Sequence, residues 1–184
     1  MTTLTGFGRI GEWFGANRFG LDPDLILFAK GVTAGYQPLG GVIASPRVAA
    51  PFFEQPGVVW RHGYTYSGHA SACAAALVVM KIYAAEGIFD RALQLETELL
   101  AALETLVGTG PAVSARGGTG AMAALQLDPS DPTLAPRVAL AVREAGVITR
   151  AVAGNGLQIS PPLIFSPGHV EEMTAGLRSG LEAI

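Results

Sequence analysis

An apolar run, Leu25-Ile26-Leu27-Phe28-Ala29, delivers Lys30 into a segment punctuated by Gly31, Gly35, Gly40 and Gly41. Desolvating an ammonium disfavours its charged form, so a lysine kept dry at a strand end moves toward the free amine, a nucleophile that condenses with carbonyls. The glycines that follow let backbone or ligand approach closely. A strand-end lysine can equally snorkel and keep its charge in water. Lys81 is the only other lysine, and every other basic side chain is an arginine. A second stretch, Trp60 to Gly68, is aromatic and too rich in hydroxyls to be plain core. His62 and His69 have no carboxylate or thiol set at metal-ligand spacing around them, so no metal site is expected.

The elements that must hold these groups follow from composition and pattern. The chain has 184 residues, 49% apolar and 15% charged, with a net charge of −3. So few charges on a chain of this size imply that part of its apolar surface is buried against another chain. Scattered charges without a basic face argue against nucleic acid. Cys73 is the only cysteine, which excludes an intrachain disulfide and a cysteine-rich metal site; a cytoplasmic setting fits. No signal peptide is visible, and no apolar run reaches the roughly 20 residues needed to span a bilayer, so a soluble protein without membrane partners is expected.

In chain order, a Gly-rich loop precedes near-helical residues Glu12 to Phe19, and Asp22-Pro23 turns into the Lys30 strand. A second strand, Gly41 to Ala44, ends at Ser45-Pro46, where Pro46 opens a short helix to about Phe53. His69 to Glu86 reads as a helix so apolar that it is buried on most sides. Phe89 to Leu106 reads as amphipathic, with Glu96, Glu98 and Glu104 outside. The Gly-Thr-Gly-Pro run near Val107 to Pro111 marks a boundary. Beyond it come a strand (Ala121 to Leu127), a helix (Leu134 to Glu144), a strand (Val147 to Val152), a strand or loop (Leu157 to Ile164) and a closing helix from His169, begun by Ser166-Pro167. The pattern is α/β followed by a smaller α+β unit. A parallel sheet of only two or three strands leaves faces and edges uncovered.

The order of motifs resembles the class III pyridoxal-phosphate aminotransferases of fold type I, which include the omega-transaminases. The markers are Gly6-Phe7-Gly8-Arg9 with Gly11-Glu12, Ala29-Lys30-Gly31 through Pro38-Leu39-Gly40, His62-Gly63-Tyr64-Thr65-Tyr66-Ser67-Gly68-His69, Gly120-Ala121-Met122 and Ser160-Pro161-Pro162-Leu163. The resemblance implies a partial fold type I large domain over residues 1–107, carrying the C-terminal part of the cofactor site, and a small α+β domain over 108–184. It implies that Lys30 is the Schiff-base lysine that holds pyridoxal 5'-phosphate and shuttles a proton. Thr65 matches the threonine that binds the cofactor phosphate of the neighbouring subunit in a dimer, with Tyr64 beside it. Arg150 resembles the mobile arginine of omega-transaminases that accept both amines and a keto acid. Gln158 stands where many relatives carry a carboxylate-binding arginine, and glutamine cannot form that charged pair. Trp60, Tyr64 and Tyr66 line a pocket or simply pack; Arg116 has no assigned role.

The chain departs from the family at its front. The aspartate that pairs with the pyridine nitrogen falls on Met1, and the family's glycine-rich phosphate cup and ring-stacking aromatic have no counterpart. Three readings follow. The chain belongs to an aminotransferase that needs a partner polypeptide or further segment to complete it and is poorly active alone, as a homodimer or a complement. Alternatively it is a non-catalytic remnant serving as an assembly module. The third reading is a Schiff-base enzyme that uses Lys30 without pyridoxal phosphate.

Overall fold

The computed structural model describes residues 4–184, and its contacts divide the chain into two compact units, Met1–Phe89 and Asp90–Ile184. The boundary expected after residue 107 lies just past a long helix, most of which belongs to the second unit.

The first unit begins with a loop closed by Phe7 N–H to Trp13 C=O (2.7 Å) and Gly8 N–H to Glu12 C=O (3.0 Å). It continues through α1 (Gly15–Arg18), β1 (Leu25–Phe28), a 3₁₀ turn (Lys30–Thr33), β2 (Gly41–Ala44), α2 (Pro46–Glu54) and α3 (Ala70–Ala85). β1 and β2 pair antiparallel, Leu25 opposite Ala44 and Phe28 opposite Gly41, rather than as parallel neighbours. The reason is the connection: a parallel crossover takes a helix-sized return, whereas residues 29–40 reverse direction through a single 3₁₀ turn. Gly41 is required opposite Phe28, whose ring would lie 2.7 Å from any Cβ there. Ser45 caps α2 as its Ser-Pro sequence predicts, accepting from Val48 N–H, and its hydroxyl donates to Asp24 (2.9 Å).

A small core joins Phe7, Val32 and Ala76, with Trp13, Phe14, Phe28, Leu39, Met80 and Tyr83 packed around it. Phe7 meets Phe14 and Phe28 edge-on at 5.5 and 6.0 Å. α3 is apolar all round, yet only Ala72, Ala76 and Val79 are buried, and Leu77, Val78 and Ile82 are exposed. The expected burial on most sides is therefore corrected: the described residues cover one face of this helix. Cys73, on the same helix, is half-buried.

The second unit contains most of α4 (Ile88–Glu104), then β3 (Ala112–Arg116), β4 (Ala123–Leu127), α5 (Leu134–Glu144), β5 (Arg150–Val152), β6 (Gly156–Ile159) and α6 (Pro167–Glu182). The strands form one antiparallel sheet in the order β3-β4-β6-β5. Its core joins Leu95, Leu99 and Leu103 of α4, Leu125 and Leu127 of β4, Leu157 of β6, Val138 and Val142 of α5, and Leu177 and Leu181 of α6. β4 alternates buried Ala123, Leu125 and Leu127 with half-buried Ala124 and Gln126, as a strand with one covered face must. β3 was not expected, because its short apolar signal (Ala112, Val113, Ala115) is diluted by Ser114 and Arg116. α5 and α6 approach closely through Gly180, where a Cβ would fall 2.6 Å from the Val142 backbone. Glu96 and Glu98 are half-buried and paired: Glu96 accepts from Gly120 N–H at 2.6 Å, and Glu98 takes a bidentate pair from Arg91 of the same helix at 2.7 Å. Among the described residues, no single helix is long and apolar enough to cross a membrane.

Candidate active site

β1 ends at Phe28, and Lys30 follows at the first position of the 3₁₀ turn with φ +54. A non-glycine residue in the left-handed region pays about 1–2 kcal/mol in steric strain. Such strain persists only where the surroundings over-determine it, and it gathers at functional sites. The surroundings can be named. A Cβ on Gly31 would stand 2.8 Å from the Phe7 Cβ, so the chain after Lys30 is wedged against the core. The Gly31 carbonyl accepts from both the Tyr83 hydroxyl (3.0 Å) and Ala34 N–H (3.2 Å). Thr33, buried, donates to the Gln37 carbonyl at 2.6 Å and closes the far side of the turn.

Lys30 itself is exposed, which corrects the expectation of a dry amine. The cause is the two-stranded ribbon: nothing among the described residues covers the end of β1. Its ammonium has no hydrogen bond or ion pair with a described residue, so the amine is unspent. Tyr83 is held differently. Burial pushes its phenol above the ordinary tyrosine range, with the nearby Arg9 guanidinium acting in the opposite direction, so it remains a proton donor at neutral pH. Arg9 is in turn shifted downward by burial, opposed by Tyr83.

Thr65 lies in an exposed turn in which Tyr64 N–H donates to Ser67 Oγ (3.0 Å) and Ser67 N–H to the Tyr64 carbonyl (2.9 Å). The Thr65 hydroxyl has no partner among the described residues. Tyr64 and Tyr66 are 76% and 78% exposed, so these rings are not core. Phe52, Trp60, His62 and Tyr64 instead form an edge-to-face string with centroid spacings of 5.6, 5.8 and 5.1 Å.

In the second unit, Arg150 opens β5 and pairs in register with Gln158 of β6. These two candidate specificity residues are thus cross-strand neighbours, a relation eight residues of sequence separation does not disclose. Arg150 is exposed, with no partner for its guanidinium among the described residues. Gln158 donates to Ser160 Oγ at 3.0 Å, and both border a cleft of about 310 Å³ with Phe165, His169 and Glu172. His169 completes a capping box with Ser166 at the start of α6. Tyr83 and Phe7 were missed as supports for Lys30, because an aromatic in an apolar helix or a Gly-rich loop reads only as packing. The position expected to carry the ring-pairing aspartate, Met1, lies outside the described residues.

A model of the class-III aminotransferases matches residues 3–181. Diaminobutyrate–2-oxoglutarate transaminase of Halomonas elongata is 39% identical over 94% of this chain and 39% of its own length. Omega-aminotransferase of Caulobacter vibrioides is 37% identical over 95% and 40% respectively. Among solved structures, an amine transaminase from an uncultivated Pseudomonas species, in its PLP-bound form, superposes with TM-score 0.91 at 37% identity, over 99% of this chain and 43% of that one. An omega-transaminase from Thermomicrobium roseum gives 0.90 at 34%, over 99% and 42%. The architecture is therefore part of a fold type I transaminase. The chain belongs to the class-III aminotransferases, and it spans about two fifths of the length of the relatives it matches.

Proposed function

We propose that this chain is the lysine-bearing portion of a pyridoxal-phosphate-dependent aminotransferase, moving amino groups between an amine or amino acid and a keto acid or aldehyde. The donor set fits the cofactor: an unspent amine on a constrained backbone at Lys30, and an unspent hydroxyl at Thr65 beside the Tyr64 phenol. When bound, the cofactor supplies the electron sink for charge developing at the substrate carbon. Lys30 holds it through Nζ and, once free, accepts a proton from the substrate carbon and returns it. Thr65 and Tyr64 donate to phosphate oxygens, in a homodimer to those of the neighbouring copy. Arg150 receives a substrate carboxylate in a charge-assisted contact that Gln158 cannot make. The proposal includes the rest of the transaminase fold, from a partner polypeptide or a further segment, and little activity for these residues alone.

The observation that carries the reading is Lys30, an unpartnered amine at a strained backbone position in a chain whose whole matched length follows the family. The test is to add pyridoxal 5'-phosphate to the purified chain and record the visible absorption band, with Lys30→Ala beside it. A band that vanishes in the variant supports the site; the absence of any Lys30-dependent band overturns it. The exposed apolar residues of α3 favour a second reading, a non-catalytic assembly module. That reading predicts no such band, together with self-association or partner binding that Leu77→Asp abolishes.

A further inference from the structure

We propose that Tyr83 is a positioning residue for Lys30, acting through the Gly31 carbonyl; the inference rests on the reading of Lys30 as the carbonyl-reactive amine. The peptide that follows Lys30 is held at two points from different parts of the first unit. The Phe7 side chain blocks it on one side, 2.8 Å from where a Gly31 Cβ would be. The Tyr83 hydroxyl, on the last turn of α3, grips the Gly31 oxygen at 3.0 Å across 52 residues of sequence. That oxygen also accepts Ala34 N–H, which closes the 3₁₀ turn, so one atom joins the turn to α3. Ala34 is left-handed as well, at φ +49, so both ends of the turn are conformations that relax unless held. Without the hydroxyl, Lys30 can leave φ +54 for the extended or right-handed regions, and the Cα–Cβ bond that launches its side chain loses its fixed direction. A phenol holds its proton at neutral pH and burial shifts this one further upward, so the donor is in place throughout the neutral range.

The chain provides its own reference, because Lys81 is the only other lysine and is exposed on α3. The experiment treats the full chain with pyridoxal 5'-phosphate and then borohydride. The Nζ lone pair forms the new C–N bond, the aldehyde oxygen leaves as water, and borohydride delivers hydride to the carbon. Peptide mass spectrometry then gives the ratio of label at Lys30 to label at Lys81. Before reduction, circular dichroism in the visible band reports whether the bound ring is held in one orientation, which fold stability alone does not move. In Tyr83→Phe, which preserves the packed ring, the ratio is expected to fall roughly three- to tenfold, the fold-change of one hydrogen bond. The visible dichroism falls with it, and the thermal midpoint stays within a few degrees. An unchanged ratio and dichroism in Tyr83→Phe overturn the positioning role while leaving the function standing. A wild-type ratio near one overturns the function and this role together.

Discussion

Replacing Asn155 by alanine tests the second unit at a buried polar side chain that joins three separate stretches of backbone. Asn155 sits in the turn between β5 and β6 with φ +61 and is 9% exposed. Its Nδ2 donates to the carbonyls of Asp128 (2.5 Å) and Asp131 (2.9 Å), and its Oδ1 accepts Ala135 N–H at 2.9 Å. The Thr133 side chain gives α5 no capping bond, so Asn155 caps that helix from across the fold. Asn155→Ala removes three hydrogen bonds, at about 0.5–1.5 kcal/mol each, or roughly 2–4 kcal/mol together. Alanine at a left-handed φ adds about 1 kcal/mol. The expected loss is therefore about 3–5 kcal/mol, read as the shift in urea-unfolding free energy of the whole chain. Asn155→Gly loses the same three hydrogen bonds but is free of the left-handed strain, so it is about 1 kcal/mol less damaging than Asn155→Ala at most. Asn155→Asp keeps the acceptor for Ala135 but turns a carboxylate toward two carbonyls, so it is worse at neutral pH than in acid. Hydrogen exchange localises the effect: the Ala135 amide loses protection first. A cost below about 1 kcal/mol for Asn155→Ala, or unchanged exchange at Ala135, refutes the capping role. The same turn sets the β5–β6 register, so the variant also loosens the pairing of Arg150 with Gln158.

Ala34→Gly removes a left-handed alanine at an exposed site and should raise stability by about 0.5–1 kcal/mol, seen as a higher unfolding midpoint. Gly180→Ala should cost about 1–3 kcal/mol, because the new methyl meets the α5 backbone at Val142, which cannot move as a side-chain tip would. Ser166→Ala should cost about 1 kcal/mol by opening the capping box of α6, with faster exchange at the His169 amide. The Arg91 guanidinium holds the Glu98 carboxyl below the usual glutamate range, against a smaller opposing effect of burial. A depressed folded value means this contribution is complete above the ordinary glutamate range, about pH 4, and is lost as the pH falls through the folded value. The acid limb of the stability curve should therefore be shallower in Glu98→Gln than in the parent.

Helices carrying their own punctuation were legible without coordinates. Ser45-Pro46 and Ser166-Pro167 begin helices because a hydroxyl acceptor and a preset φ act on the nearest residues alone. A helix over about Leu134 to Glu144, after the Asp-Pro loop, agrees with the observed α5. Lys30 stood out by residue type at a strand end, while Thr65, Tyr64 and Arg150 were named as what the family resemblance implies. What the sequence could not disclose is everything set by distant chain. The antiparallel β1–β2 pairing, the exposure of Lys30 and of one face of α3, and the opposition of Arg150 to Gln158 depend on which surfaces meet. The contacts of Tyr83 with Gly31 and of Asn155 with the start of α5 join residues 52 and 20 positions apart. Chemistry and local stops are written into neighbouring residues because torsional preference and capping act over a single turn. The direction of the lysine and the bracing of its backbone come from long-range packing, where any apolar or polar side chain of similar kind would have read the same.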